Sequence, residues 1–299
     1  MEKKYMLTDE TKVVNGRTLH RIKALKDFGD IEAGTLGGFI EKEKNLSQRG
    51  EAWVNENACV FEDARISNNA QIFGNALVYG YAVVCGNAFI FDEAQVYGNA
   101  RIYDDTRVSG NAQVFGYARA YGSVEIYDNA RIYDDAWAFD NVLIYENARI
   151  CDNARAYESA WICGDSVVSQ NQYVFYGIVT EDLSKTENLV KSIKAQCNLL
   201  AIDNKVIAYK LVRPDLTSFF DKSFHYEVGK EIEVKDCEES NESCASGLHF
   251  SNPIYWEKKC KNEEYVYLEA EIDLNDIITV QQGKIRCRKA KILRAFNLD

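Results

Sequence analysis

The side chains that could do chemistry in this 299-residue chain are few and widely spaced. There are three histidines, His20, His225 and His249, so residues 21–224 hold no imidazole for general base catalysis or for zinc. Cys237, Cys244, His249 and Cys260 provide sulfur and imidazole ligands, but their spacing, C-x6-C-x4-H-x10-C, lacks the tight C-x2-C pair of structural zinc sites. No metal or other cofactor is expected. Nine cysteines, an odd number at scattered positions, suit buried or idle thiols better than a disulfide framework. The carboxylate pairs Asp104-Asp105 and Asp134-Asp135 fall among recurring turn formers and read as solvated corners. A basic run, KIRCRKAKILR, gathers Arg286, Arg288, Lys289 and Lys291 on one strand; it reads as a protected sheet edge, or as a surface for an acidic partner or a nucleotide.

A repeat must position most of the other residues. From Val54 an aliphatic residue or Ala recurs every six residues, twenty times in succession, as far as Val168. Four residues after each slot comes a small residue, Ala in fifteen of nineteen cases, and the positions between are rich in Gly, Asp, Asn and Glu, which tolerate φ > 0. A period of six does not keep one helical face apolar, whereas a short strand followed by a corner explains every position. In residues 100–103, alternation sends Ala100 and Ile102 inward and Arg101 and Tyr103 outward. Three such sides close a coil of eighteen residues. The slots that hold Ala instead of Val or Ile are Ala120, Ala138 and Ala156, spaced by eighteen, so they are expected to stack on one face. Val124 and Val142 enlarge the neighbouring small slot and restore the core volume.

The same period builds outward columns. Thirteen of the twenty positions after the slot are Phe or Tyr, which places Phe61, Tyr79, Tyr97, Phe115 and Tyr133 in one column and Tyr103, Tyr121, Phe139 and Tyr157 in another. Such columns brace adjacent coils, serve as an interface with a protein or a second copy of the chain, or stack against a glycan. Arg65, Arg101, Arg119 and Arg155 recur on one side, where they are expected to neutralise acidic corners or lie against neighbouring rings, with an anion groove as the alternative.

The runs IFGNAL, VYGNAR and VSGNAQ resemble the hexapeptide repeats of left-handed β-helix proteins. More narrowly, LGGFIEKEKNLS followed by GNA repeats is similar to uncharacterised phage and prophage proteins of that class. The resemblance implies a mainly β fold, a single-stranded left-handed parallel β-helix of about six 18-residue coils over residues 36–170. Acyltransferases of that class use a histidine beside a subunit cleft and a loop extruded from a coil. Neither occurs between residues 54 and 168, so acyl transfer is not expected here. Residues 1–35, with Asn15-Gly16 between apolar runs, are expected to form a hairpin cap. Ile40 and Leu46 begin the six-residue spacing and Val54 follows eight later, which gives the first coil a two-residue irregularity.

Beyond Ser169 the hexads stop. Residues 171–200 read as a connecting segment with a helix, opened by a capping box from Ser184 to Glu187 and carrying Leu189, Val190, Ile193 and Cys197 at helical spacing. Residues 201–299 read as a small α+β domain. Its segment SGLHFSNPIYW, preceded by AYK, resembles a domain of unknown function of phage proteins and, over a shorter stretch, the Gly-hydrophobic-Tyr/His-Phe-Ser segment of ADP-ribosyltransferases. The second resemblance implies a nicotinamide-side role for His249 and a ribose-orienting role for Glu269 or Glu271. The opening His-Gly pair of those enzymes is replaced here by Tyr209-Lys210.

Net charge is −11, and residues 54–168 alone carry sixteen Asp or Glu against seven Arg and no Lys. Such a surface repels a nucleic acid backbone and favours a protein partner that is basic or of mixed charge. No apolar run approaches the roughly 20 residues of a membrane span, and the first residues lack the apolar segment of a signal peptide, so a cytoplasmic location is expected, which the phage resemblance implies is that of a bacterial host. The expected function is that of a non-enzymatic, homo-oligomeric protein-binding or scaffold protein of phage or prophage type, such as a counter-defence inhibitor. The alternative is a nucleotide-using enzyme or nucleotide-binding module in the C-terminal domain.

Overall fold

The computed structural model describes residues 2–170, 172–180, 189–235, 237, 246–257, 264–281 and 283–297. The chain divides into two compact units, residues 1–170 with 178–184, and residues 171–177 with 185–299.

The first unit is a parallel β-solenoid. Each hexad contributes a two-residue strand, such as Arg101–Ile102, and a corner whose first residue has positive φ, such as Asp104 at 56°. Ala100 and Ile102 are fully buried while Arg101 is exposed, as alternation requires. Strands pair in parallel with those eighteen residues away, so Gln95 faces Gln113 and Val96 faces Val114. Three faces result. The first runs from Leu36–Ile40 through Cys59–Val60 to Val167–Val168 as eight parallel rungs. The solenoid therefore has about eight turns, against the six expected from the repeat. The irregular first coil supplies one of the additional rungs, in register with the rest: Ile40 pairs with Val60 across its two extra residues.

The stacking of small slots is as the spacing requires. Ala120 pairs with Ala138 and Ala138 with Ala156, all three fully buried beside Val124 and Val142. At the N-terminal end, strands Tyr5–Val14 and Arg17–Ala24 form a hairpin across Asn15 and Gly16, both at positive φ, and continue antiparallel onto Leu36–Ile40. Lys4 Nζ donates to the Ala52 carbonyl at 2.7 Å and the Tyr5 hydroxyl donates to the Leu46 carbonyl at 2.8 Å, so the hairpin closes over the first coil.

The second unit is small and β-rich. A five-stranded antiparallel sheet runs in the order Ala201–Ile202, Lys205–Val212, Val266–Asp273, Lys289–Phe296, Glu231–Glu233. A three-stranded antiparallel sheet holds Leu248–Phe250, Lys284–Cys287 and Ile277–Gln281. Val206, Ala208, Leu268, Ala270 and Ile272 of the first sheet meet Leu248, Phe250 and Ile285 of the second, with Ile193 and Cys197 of the helix Leu189–Cys197. The capping box expected ahead of that helix, Ser184 to Glu187, lies outside the described residues. A second helix, Pro253–Glu257, is opened by Asn252, whose Oδ1 accepts from the Tyr255 backbone N–H at 2.8 Å.

Candidate functional site

Parallel strands lie about 4.8 Å apart, so identical positions on successive coils place their side chains at a stacking distance. Rings in the first aromatic column follow this spacing. Phe61–Tyr79, Tyr79–Tyr97, Tyr97–Phe115 and Phe115–Tyr133 have centroids 5.0, 4.9, 4.8 and 5.1 Å apart and planes within 5° of parallel. In the second column Tyr121–Phe139 and Phe139–Tyr157 stack at 5.1 and 5.0 Å. Tyr103, one rung earlier, makes no ring contact among the described residues. Its corner is closed by a bond from the Thr106 N–H to the Tyr103 carbonyl, whereas Tyr121 and Phe139 lie on strands that continue to the corner residues Gly122 and Asp140.

A third column, not singled out from the sequence, stacks Phe73 on Phe91 at 4.9 Å and Tyr127 on Tyr145 at 5.2 Å. Cysteines continue all three columns, Cys85 before Tyr103, Cys151 after Tyr133 and Cys163 after Tyr145. Tyr133 bonds Cys151 and Tyr145 bonds Cys163, and these bonds, with burial, push both phenols up to about 12. Phe61 is fully buried in a cluster with Leu19 and Phe39, and the rings that follow it are half-buried edges of a ladder; the most exposed aromatic residues of this unit are instead Tyr81 and Tyr117 at the corners, 66% and 62% accessible.

The acidic corners do more than solvate a turn. Asp104 Oδ2 accepts from the Gly122 N–H at 3.2 Å, Asp152 Oδ2 from the Gln170 N–H at 2.9 Å and Glu56 Oε2 from the Gly74 N–H at 2.7 Å, each one coil ahead. Adjacent amides form a second ladder, with Asn69 donating to Asn87 at 3.0 Å and Asn87 to Asp105 at 2.9 Å. Both ladders follow from the period of eighteen, which was legible, combined with the left-handed backbone at the corner, which leaves an N–H pointing along the solenoid. On the third face, Arg119 and Arg155 sandwich Trp137, with guanidinium carbons 4.7 and 4.6 Å from its ring.

In the second unit the candidates from the sequence separate. Glu269 pairs with Tyr209 across neighbouring strands, hydrogen-bonds its hydroxyl, and accepts from Arg294 through Nε at 3.1 Å and Nη2 at 2.7 Å. Burial and that carboxylate raise the Tyr209 phenol above its ordinary range. Glu271 is ion-paired to Lys205 at 2.7 Å. Alternation turns Glu269 and Glu271 away from Leu268 and Ala270, hence away from the core that holds Leu248 and Phe250. Among the described residues no hydrogen bond or ion pair joins either carboxylate to His249.

His249 lies beside a lysine that the sequence did not flag for its burial. Lys210 is 5% exposed, donates to the His249 carbonyl at 3.2 Å, and sits 5.8, 6.0 and 5.4 Å from the rings of Tyr226, Phe250 and Trp256. Burial pulls its ammonium down to about 8. Burial, then the positive charges of Lys210, Lys284 and Arg286, pulls the His249 imidazole down to about 3.

The basic run does not form one strand. It breaks at Arg288 into Lys284–Cys287 of the three-stranded sheet and Lys289–Phe296 of the five-stranded sheet. Arg286 is 1% exposed, buried over Gly247, where an added Cβ would come within 2.9 Å of its side chain. Lys289 is ion-paired to Glu231 at 2.7 Å, and Lys291 lies opposite Glu231 in the strand register. The expected basic surface is thereby reduced: alternation places Arg286 on the face opposite the core residues Ile285 and Cys287, yet its side chain is covered on that face as well, against Gly247. Of the residues weighed for zinc, Cys244 and Cys260 lie outside the described residues, and Cys237 donates to the Val234 carbonyl at 3.1 Å.

Residues 206–299 match a domain of unknown function (DUF7666), and residues 70–86 and 94–110 match the YdcK beta-solenoid repeat. A stretch of 71 residues is 35% identical to a protein of Escherichia coli (strain K12) called uncharacterized acetyltransferase YdcK, over 21% of this chain and 22% of that protein. Another, of 121 residues, is 28% identical to Gabija anti-defense 2 of Bacillus phage SPbetaL7, over 37% of this chain and 30% of that protein. The chain spans less than a third of the length of either relative. The repeats are thus of the hexapeptide β-solenoid type, and the chain shares sequence at low identity with a phage protein.

Proposed function

We propose that this chain is a non-enzymatic binding protein of phage or prophage type, which acts by engaging a host or phage protein through its acidic solenoid and its C-terminal domain. The observation that carries this reading is the solenoid surface: uninterrupted hexads from residue 54 to 168, a carboxylate excess along them, and stacked aromatic columns with Tyr81 and Tyr117 standing out beside them. Exposed Tyr next to a charged rim is a frequent anchor of protein interfaces. The similarity to a protein named for anti-defence supports a counter-defence role, with a defence protein of the host as partner. The acetyltransferase name of the other relative does not carry over readily, because no histidine stands between His20 and His225 to act as general base.

The test is affinity capture from a bacterial host lysate with wild-type chain and with Tyr81→Ser/Tyr117→Ser. The reading expects one protein retained in fixed ratio, released by salt, and lost from the double variant while the variant melts as the wild type does. Retention of nothing, or transfer from labelled NAD that disappears in His249→Ala, would replace this reading with the enzymatic one.

A further inference from the structure

The third aromatic column is missing one rung. At intervals of eighteen residues it reads Phe73, Phe91, Ser109, Tyr127, Tyr145, whereas the column from Phe61 to Tyr133 is unbroken. Phe73 stacks on Phe91 and Tyr127 on Tyr145, so two finished stacks face each other across Ser109. The gap opens as a cavity of about 380 Å³ lined by Phe91, Asp92, Arg107, Ser109, Glu125 and Tyr127, among others. Two strand spacings separate its aromatic walls by roughly 9.6 Å. A ring placed midway would lie about 4.8 Å from each wall, inside the range in which aromatic pairs attract and equal to the spacing the chain uses elsewhere.

We infer that this notch binds one planar aromatic side chain, Trp, Tyr or Phe, of a protein partner, flanked in that partner by Lys or Arg. The inference rests on the reading of the chain as a protein-binding module and names the site it uses. The choice of occupant comes from charge. Glu125 meets Arg107 at 3.6 Å, which leaves Asp92 and Asp128 at the rim as carboxylates without an ion pair among the described residues. Each keeps its place by accepting a backbone N–H one coil ahead, Asp92 from Gly110 and Asp128 from Glu146, both at 3.1 Å. Such a rim repels the phosphate of a nucleotide and attracts a cation beside the ring.

The probe is the tripeptide Lys-Trp-Lys carrying 5-fluorotryptophan, observed by fluorine NMR against the full chain. Saturable line broadening is expected with wild type and with Ser109→Ala, and a several-fold weakening as salt rises. Ser109→Tyr should complete the column, raise the melting temperature by about 2–4 °C and abolish the broadening. Phe91→Ser, which removes a wall instead of filling the gap, should abolish it as well, so the test survives failure of either variant to fold. Absence of saturable binding by wild type, or equal binding by folded Ser109→Tyr, overturns the inference. So does a site that broadens fluoroadenosine while ignoring the peptide. None of these outcomes bears on capture of a partner through other surfaces, so the two readings fail separately.

Discussion

His249 stays neutral at pH values where water would protonate it. Its imidazole is pulled to about 3 from an ordinary 6.5 by burial and by the charges of Lys210, Lys284 and Arg286. Between those two values the unfolded chain binds a proton at this site and the folded chain does not, so stability falls as pH drops below 6.5, by at most about 1.4 kcal/mol per pH unit. His249→Gln should remove that dependence. Urea unfolding of the C-terminal transition at pH 7 and pH 5 is expected to show a wild-type loss up to about 2 kcal/mol larger than that of the variant. Equal losses would mean that the histidine is hydrated in the folded state. The same environment bears on the nucleotide alternative: a neutral imidazole whose Nε2 has no partner among the described residues remains a hydrogen-bonding group, but Glu269 and Glu271 are committed to Arg294 and Lys205.

Each corner of the solenoid carries two burdens at once, a positive φ and an N–H awaiting an acceptor one coil back. Asp104 meets both, with φ of 56° and Oδ2 3.2 Å from the Gly122 nitrogen. Asp104→Ala loses the acceptor and tolerates the left-handed backbone poorly, so it should cost about 1–2 kcal/mol in thermal or urea unfolding, whereas Asp104→Asn retains both properties and should cost under about 0.5 kcal/mol. An Ala variant as stable as wild type would show the ladder to be inert. On the third face, Ala138 is fully buried between Ala120 and Ala156. Ala138→Ile should overpack that coil at a cost of about 1–3 kcal/mol, and Ala138→Ile with Val142→Ala should recover much of it. A double variant that melts no higher than the single one would separate the two slots.

For the whole molecule, the aromatic columns leave surface that is costly to keep in water, and we expect a homo-oligomer with solenoids packed side by side through them. Light scattering on the wild type should give a mass above the 34.0 kDa of one chain. Tyr121→Ser with Phe139→Ser tests the second column: a drop in mass identifies it as the interface, and a loss of stability at unchanged mass assigns it to bracing between coils. A monomeric wild type would end the expectation.

The solenoid was legible because its contacts are periodic. Residue n meets residue n+18 everywhere, so the spacing of Val96, Val114 and Ile132 also states their pairing, and the Ala120, Ala138 and Ala156 stack could be placed from the sequence without coordinates. The Asn15-Gly16 hairpin was legible for a local reason, since both residues must take positive φ. Side-chain partners along the same period were harder to see: the acidic ladder depends on where a corner N–H points, and the break at Ser109 matters only once rings on either side are known to stack. In the C-terminal unit no period relates the partners. Tyr209 meets Glu269, and His249 meets Lys210 and Arg286, through strands far apart in the chain. Only the tertiary structure decided that Arg286 is buried, that the basic run splits at Arg288, and that Lys210 and His249 lose their hydration, because burial depends on what lies across the sheet and not on the residues beside each in sequence.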